Sequence, residues 1–220
     1  MSAIKNVMKN YYRNMELDEF LAKELVEAGY GGVDIQKTPM GTRITLYITR
    51  PGLVIGRKGM GIKDLTAKLE TRFGLSNPQI TVLEVEIPEL NANIMANRAA
   101  HQMTRGTAHR RVAFWTLNTI MNGGALGAEV TISGKLRSER SHFDKYTMGI
   151  VPKSGDVAKR VVKEAIAHVL LKMGMYGIKI KIANKAAIVP EFELVDNNMT
   201  IEEKENEDGE IEAQGSKKNE

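Results

Sequence analysis

The chain has 220 residues and no cysteine, which excludes disulfide bonds and thiolate metal sites. Aromatic residues make up only 5% of it. No apolar run approaches the roughly 18 residues that would predict a membrane-spanning helix, and the N-terminal residues lack the pattern of a secretory signal. We therefore expect a cytoplasmic protein with no membrane partner.

Common catalytic signatures are also missing from the sequence. It contains no GxxxxGK[ST] phosphate loop, no HExxH zinc motif and no GxSxG nucleophile motif. The four histidines have no carboxylate or cysteine neighbours at metal-ligand spacing. We expect neither a metal nor a cofactor, and a protein that is not an enzyme.

The net charge of +4 conceals two oppositely charged regions. Residues 191–220 hold 11 acidic and 3 basic side chains, whereas residues 1–190 hold 28 basic and 16 acidic ones. A body with a net charge of +12 favours a polyanionic partner, with binding that weakens as salt rises. The acidic end has almost no apolar residues from residue 197 onward, so we predict a disordered tail over residues 191–220.

A loop with the sequence Val-Ile-Gly-Arg-Lys-Gly stands between an alternating strand and an amphipathic helix. Glycine has no Cβ, so Gly56 and Gly59 let a sugar-phosphate strand approach the main chain and tolerate the positive φ of a sharp turn. Arg57 and Lys58 add charge at the tip, and the next helix directs its first N–H groups toward a bound phosphate. KH modules clamp about four nucleotides with such a loop. The alternative is an ordinary strand-to-helix turn.

Six elements are predicted around this loop, in the order helix, strand, strand, helix, helix, strand. They are a helix from about residue 16 to Gly29, strands over 31–39 and 44–48, a short helix from Pro51, a helix over 62–73 and a strand over 79–87. Two strands precede the loop, which favours the type II KH arrangement over type I. We predict a type II KH domain over residues 16–90, after an N-terminal extension over residues 1–15.

A second pattern begins at residue 91 and indicates a small mixed α/β domain over residues 91–190, so the fold class is α+β. Its predicted elements are helices over 93–105 and 108–121, strands through 130–132 and over 143–151, a helix over 156–173 capped by Ser154, and a strand over 178–182. The long helix is predicted because Val161, Ala165 and Val169 recur every four residues. Lys179 and Lys181 alternate with the isoleucines of the last strand, so that face is either solvated or against RNA.

Basic side chains cluster between residues 98 and 145, where only three acidic side chains oppose them. The cluster comprises Arg98, Arg105, Arg110, Arg111, Lys135, Arg137, Arg140 and Lys145. Arg110 and Arg111 stand at a predicted helix N-terminus, where a cation opposes the helix dipole by up to about 1 kcal/mol. A nearby RNA phosphate would reverse that penalty, so RNA binding is favoured over a merely solvated face.

Two aromatic residues lie in the helix that follows this arginine pair. Trp115, one turn after Arg111, could stack on a base, but a core tryptophan is the favoured interpretation. Phe114 is also predicted to lie in the core, in a stripe with Leu117 and Met121.

Four stretches of the chain, in this order, resemble the archaeal and eukaryotic branch of the small ribosomal subunit protein three family. They are Pro51-Gly52-Leu53-Val54-Ile55-Gly56-Arg57-Lys58-Gly59; Arg110-Arg111; Val130-Thr131-Ile132-Ser133-Gly134-Lys135-Leu136-Arg137; and Ser154-Gly155-Asp156 with His168-Val169-Leu170-Leu171 and Gly177-Ile178-Lys179-Ile180. The resemblance spans about residues 15–185.

The resemblance implies a structural protein in the head of the small ribosomal subunit, at the entrance of the messenger RNA channel. Its partners would be small-subunit rRNA, messenger RNA and neighbouring head proteins, with no homo-oligomer. The RNA-binding residues it implies are Gly56, Arg57, Lys58 and Gly59 in the KH loop, the pair Arg110 and Arg111, and Lys135, Arg137 and Arg140 in a basic hairpin. The implied mechanism is electrostatic guidance of the messenger, with hindrance of messenger duplexes.

Two other functions stay open at this point. The chain could be a free KH-type RNA-binding regulator or a ribosome assembly factor. It could also be a lyase in which the Lys135 amine forms a Schiff base at an abasic nucleic-acid site, if burial or neighbouring cations activated that amine. A phosphate contact is the favoured role of Lys135.

Overall fold

Two small sheets, each covered by helices, organise the part of the chain that this computed structural model describes, residues 3–38, 41–75 and 77–185. The first sheet and its helices form an N-terminal lobe, and the second sheet and its helices form a C-terminal lobe. The predicted acidic tail lies outside the described residues. Within them, no helix is both long and apolar enough to cross a membrane.

The N-terminal lobe has the predicted order of helices and strands, which confirms the type II KH arrangement. Its elements are α1 Ala3–Glu24, β1 Tyr30–Thr38, β2 Gly41–Ile48, α2 Pro51–Ile55, a single 3-10 turn at Arg57–Gly59, α3 Met60–Phe73 and β3 Gln79–Glu84. The sheet order is β1-β2-β3, with β1 antiparallel and β3 parallel to β2. Since β2 is central, its alternate residues Ile44, Leu46 and Ile48 are fully buried against the helices.

Helix α1 begins much earlier than the sequence pattern indicates. The predicted start near residue 16 is where the helix first contacts the core, through Leu17 and Leu21. Residues from Ala3 onward are helical as well, yet Ile4, Tyr11 and their apolar neighbours are exposed. Burial periodicity therefore marks where a helix packs, not where its backbone begins.

The C-terminal lobe places two helices on one face of an antiparallel four-stranded sheet. Its elements are α4 Ala92–Thr104, α5 His109–Asn122, β4 Gly127–Gly134, β5 His142–Gly149, α6 Gly155–Val161, β6 Val162–Leu171 and β7 Gly174–Ala183. The sheet order is β5-β4-β7-β6. Ile178, Ile180 and Ile182 of β7 are fully buried, together with Val130 and Ile132 of β4.

The predicted helix over 156–173 is wrong. Only α6, seven residues long, is helical, and the chain then continues as strand β6. A spacing of four residues satisfies both a helix stripe and one face of a strand, so the pattern did not separate the two. In β6 the buried residues Ala165, Ala167 and Val169 alternate with exposed ones, and Leu170 is 76% exposed. Ser154 makes no side-chain cap hydrogen bond, so nothing at that end supports a long helix.

Lys179 and Lys181 lie on the sheet face opposite the helices, where both contact Glu164 of the neighbouring strand β6. Hydrogen bonds and charge from Lys179, and then from Lys181, lower the pKa of Glu164. The two lysines of this face are therefore ion-paired within the sheet, and both sequence interpretations, a solvated face and one against RNA, stay predictions.

One asparagine joins the two lobes. Asn91 accepts hydrogen bonds from the backbone N–H groups of Asn93 and Ile94, which caps the start of α4. Its side-chain amide also donates to the carbonyl of Gly31 in β1, at 3.0 Å. The same carbonyl accepts a second bond, at 3.3 Å, from the side chain of Asn93. The start of the C-terminal lobe is therefore fixed to an edge strand of the N-terminal sheet.

The strand assignment of β6 can be tested with two adjacent residues on its opposite faces. We expect Val169→Asn to lower the free energy of unfolding by roughly 3 kcal/mol, because it places an amide in the core. The matched variant Leu170→Asn should lower it by less than about 1 kcal/mol, because that side chain is exposed. Urea unfolding followed by circular dichroism measures both changes, and equal losses would contradict the assignment.

Candidate nucleic-acid interface

The glycine loop at the end of α2 has an unusual backbone. Gly56 has a φ of 67° and Gly59 a φ of 75°, the positive values that the sequence suggested. Lys58 also adopts a left-handed conformation, with a φ of 54°. A Cβ on Gly56 would lie 3.0 Å from the backbone nitrogen of Gly61, whereas a Cβ on Gly59 would have no neighbour within 4 Å. The surface at Gly59 is therefore open to a ligand.

Gly61 is a residue of the loop structure that the sequence reasoning did not single out. A Cβ there would lie 2.4 Å from the carbonyl oxygen of Val54, so only glycine lets α2 and α3 approach this closely. The signal was present as a third glycine, two residues after Gly59. It was missed because it stands between the loop and the helix predicted over 62–73, where a further glycine carries no pattern of its own.

The cations of the loop are available to a ligand. Arg57 and Lys58 are exposed, and within the described ranges neither has an acidic partner. Gly59 is the N-cap of α3 and supplies no side-chain hydrogen bond to the first turn. The first N–H groups of α3 therefore lie beside two unpaired cations, an arrangement that suits a phosphate.

Arg110 and Arg111 occupy the first turn of α5, as the sequence predicts. Both side chains are exposed, and no carboxylate pairs with either of them in the part of the chain that the structure describes. No acidic residue lies in that turn, and Ala108 at the N-cap gives no side-chain hydrogen bond. The turn therefore concentrates positive charge that nothing nearby neutralises.

The basic hairpin between β4 and β5 carries Lys135, Arg137 and Arg140, all of them exposed. Arg137 pairs with Asp144 of β5 at 3.3 Å, while Lys135 and Arg140 have no ion pair among the described residues. The three cations therefore lie on one hairpin, as predicted from the sequence. Asp144 partly neutralises one of them, Arg137.

Asp144 links that hairpin to the arginine pair. His109, which directly precedes Arg110, places its Nε2 atom 3.2 Å from a carboxylate oxygen of Asp144. Partial burial acts to raise the pKa of Asp144, but the charge and hydrogen bond of Arg137, with the His109 contact, outweigh it and lower the pKa. Sequence reasoning missed this link because 34 residues separate the two partners.

Lys135 is exposed to solvent, and its backbone carbonyl accepts a hydrogen bond from the Tyr176 hydroxyl. Burial, one of the two conditions that the lyase hypothesis offers for activating this amine, is therefore not met. Among the described residues there is also no group of three or more histidine, aspartate or glutamate side chains that could hold a metal ion.

The predicted core positions of Phe114 and Trp115 are wrong. Phe114 is 51% exposed and packs on the ring of Tyr146, with the centroids 5.0 Å apart, and Trp115 is 39% exposed. The face of α5 that contacts the sheet contains Val112, Ala113, Thr116, Leu117 and Ile120. The aromatic residues flank this face, and a hydrophobicity pattern does not distinguish its edge from its centre.

Comparison with known proteins matches both lobes to family models. The model described as "KH domain" matches residues 16–90, and the model described as "Ribosomal protein S3, C-terminal domain" matches residues 99–182.

Relatives similar to this chain carry the name "Small ribosomal subunit protein uS3". The protein of Thermofilum pendens is 49% identical over 191 residues, which cover 87% of this chain and 94% of the relative. That of Ignicoccus hospitalis is 48% identical, covering 84% and 79%. That of Sulfurisphaera tokodaii is 51% identical over 178 residues, covering 81% and 79%. The resemblance read from the sequence is thereby confirmed, and the chain belongs to the uS3 family of small ribosomal subunit proteins.

Proposed function

We propose that this chain is a structural constituent of the small ribosomal subunit, where it binds small-subunit rRNA and neighbouring ribosomal proteins in the cytoplasm. Its membership of the uS3 family supports this role. The observation that carries the RNA-binding part is the exposed, unpaired charge of Arg57 and Lys58 beside the open first turn of α3. The proposed role is binding and not catalysis, which the similarity to ribosomal proteins supports.

The glycine loop grips an RNA backbone in this proposal. Gly59 offers a surface on which a Cβ would meet nothing within 4 Å, so a phosphate can approach the main chain there. Arg57 and Lys58 supply charge from the tip, and Gly56 gives the turn its shape. The four residues belong to a KH domain over residues 16–90, followed by a second domain over residues 91–190.

A second basic surface guides messenger RNA at the entrance of its channel. It consists of Arg110, Arg111, Lys135, Arg137 and Arg140. The contacts of Asp144 with both His109 and Arg137 support this grouping, since they join the start of α5 to the hairpin. The two arginines of α5 would attract the messenger backbone without reading its sequence, because phosphate contacts carry no base information. The same charge would hold one strand and so hinder a messenger duplex.

Sedimentation tests the ribosomal role directly. A gently lysed extract of cells making this protein at native level would be run through sucrose at high salt, with a known small-subunit protein as reference. We expect stoichiometric recovery with the small subunit. Recovery mainly at the top of the gradient, or in amounts that salt removes, would instead favour a free RNA-binding regulator or an assembly factor.

The glycine loop can be tested with two variants of nearly the same shape. Gly59→Asp should weaken binding of single-stranded RNA roughly tenfold, because it adds a negative charge where a phosphate lies. Gly59→Asn adds no charge, and both residues tolerate the left-handed backbone at this position. Fluorescence anisotropy of a labelled oligonucleotide measures both affinities. Equal affinities in the two folded variants would remove the loop from the mechanism.

We expect removal of the arginine pair, Arg110 and Arg111, to affect stability and RNA binding in opposite directions. Removing both cations with Arg110→Gln/Arg111→Gln should leave the free energy of unfolding unchanged or raise it by up to about 1 kcal/mol, because they oppose the dipole of α5. The slope of log affinity against log salt for single-stranded RNA should fall by about 1.4, the value for two lost phosphate contacts.

The control for this pair is Lys153→Gln/Lys159→Gln, which removes two exposed lysines near α6 that have no ion pair among the described residues. Its salt slope should equal that of the unchanged protein. An arginine-pair variant with an unaltered salt slope, or with a clear loss of stability, would show that these arginines serve the fold and not RNA.

A further inference from the structure

A cleft of about 550 Å³ lies where the two lobes meet. Its N-terminal wall is formed by the segments that follow α1 and β2 and by α2, including Arg50 and Leu53. Its C-terminal wall is formed by α4, the residue Arg105 that follows it, and Trp115 of α5. The glycine loop and the α5 arginine pair are not among the residues that line it. The cleft is therefore distinct from both proposed RNA contacts.

The apolar surface of the cleft comes from two large side chains that the core leaves uncovered. Trp115 is 39% exposed and Leu53 is 59% exposed. Within the described part of the chain the indole N–H of Trp115 has no hydrogen-bond acceptor. A flat, partly exposed indole facing a cavity is a surface on which a nucleic-acid base can stack, whatever its identity.

The charge of the cleft is positive. Arg50 and Arg105 are exposed, and neither has an ion pair among the residues that the structure describes. Arg98 also lines the cleft, but Glu89 neutralises it at 3.2 Å. Glu27 is the acidic residue of the lining. These two unpaired guanidinium groups outnumber the one carboxylate, so the cleft suits a phosphate. A guanidinium can hold a phosphate with two parallel hydrogen bonds.

We propose that this cleft binds one nucleotide of a single-stranded RNA, with the base stacked on Trp115 and a phosphate held by Arg50 and Arg105. The amides of Asn97 and Gln102, which also line the cleft, can meet the polar edge of the base with both donors and acceptors. Arg50 precedes α2 and the glycine loop follows it. A five-residue helix is about 7.5 Å long, so one strand can contact both places.

Trp115 is the single tryptophan of the chain, so tryptophan fluorescence reports on this one side chain. The test is a titration of the purified full-length protein with the RNA hexamer A6, read as tryptophan emission. We expect saturable quenching, with a midpoint at least tenfold higher for Arg50→Gln/Arg105→Gln. The variant Lys153→Gln/Lys159→Gln, which removes two cations that do not line the cleft, should keep its midpoint within about twofold.

Two further measurements make the result decisive. Anisotropy of a labelled A6 reports binding anywhere on the protein, so binding without quenching would overturn the proposal. Equal midpoints for the arginine variant and the lysine control would overturn it as well.

A titration with AMP should quench only at far higher concentrations than A6. Equal midpoints for AMP and A6 would identify a site for a free nucleotide and refute a strand-binding cleft.

The Gly59→Asp variant separates this site from the glycine loop. Saturating A6 should still quench Trp115 in that variant, because Gly59 does not line the cleft, with a midpoint raised by no more than the roughly tenfold loss expected at the loop. If anisotropy shows that A6 still binds Gly59→Asp while Trp115 is no longer quenched, then the signal depends on the loop and the proposal is overturned.

Discussion

The close approach of α2 to α3 determines the shape of the glycine loop. The carbonyl oxygen of Val54 lies 2.4 Å from where a Cβ of Gly61 would be, so the chain must turn sharply between the two closely packed helices. Gly56, Lys58 and Gly59 therefore all adopt positive φ. Lys58 does so without being a glycine, at a cost that the packing of α2 and α3 offsets. The first turn of α3 and the two loop cations are exposed together as a result.

Two acidic side chains of the second lobe pair with lysines within its sheet. Glu129, only 5% exposed, pairs with Lys145 at 2.8 Å, and Glu164 contacts Lys179 and Lys181. These carboxylates neutralise lysines of neighbouring strands, where a buried or clustered charge would otherwise be costly. They leave Arg110 and Arg111 without partners. The positive surface therefore depends on where the acids lie as much as on where the arginines lie.

Much of the fold could be predicted from the sequence because alternation and turn residues act locally. The order of elements in the first lobe follows from such signals, and so does the position of the loop between Pro51 and Phe73. Strand β6 could not be predicted in this way, because Val161, Ala165 and Val169 fit either period. Only the partner strand β7 decides between them, and strand pairing is a property of the folded sheet.

The candidate site shows the same division. Exposed cations on a loop, a helix start and a hairpin can be recognised from the charged residues and from the residues that mark turns and helix ends. The contact of His109 with Asp144 could not, because it depends on how α5 packs across β4 and β5. The exposure of Trp115 could not be predicted either. It depends on the gap between the two lobes, and the residue pattern of either lobe alone does not describe that gap.

The tether at Asn91 explains why that gap persists. Its amide must satisfy the carbonyl of Gly31 while its oxygen caps α4, so the helix start cannot move without leaving polar groups unpaired. Gly31 makes the contact possible, because a Cβ there would lie 2.9 Å from the Asn91 amide nitrogen. The lobes are thus held near each other at one edge, while the large side chains of Leu53 and Trp115 remain uncovered. For the proposed RNA contacts, a spacing held at this edge matters because contacts that are linked in one protein strengthen each other's binding.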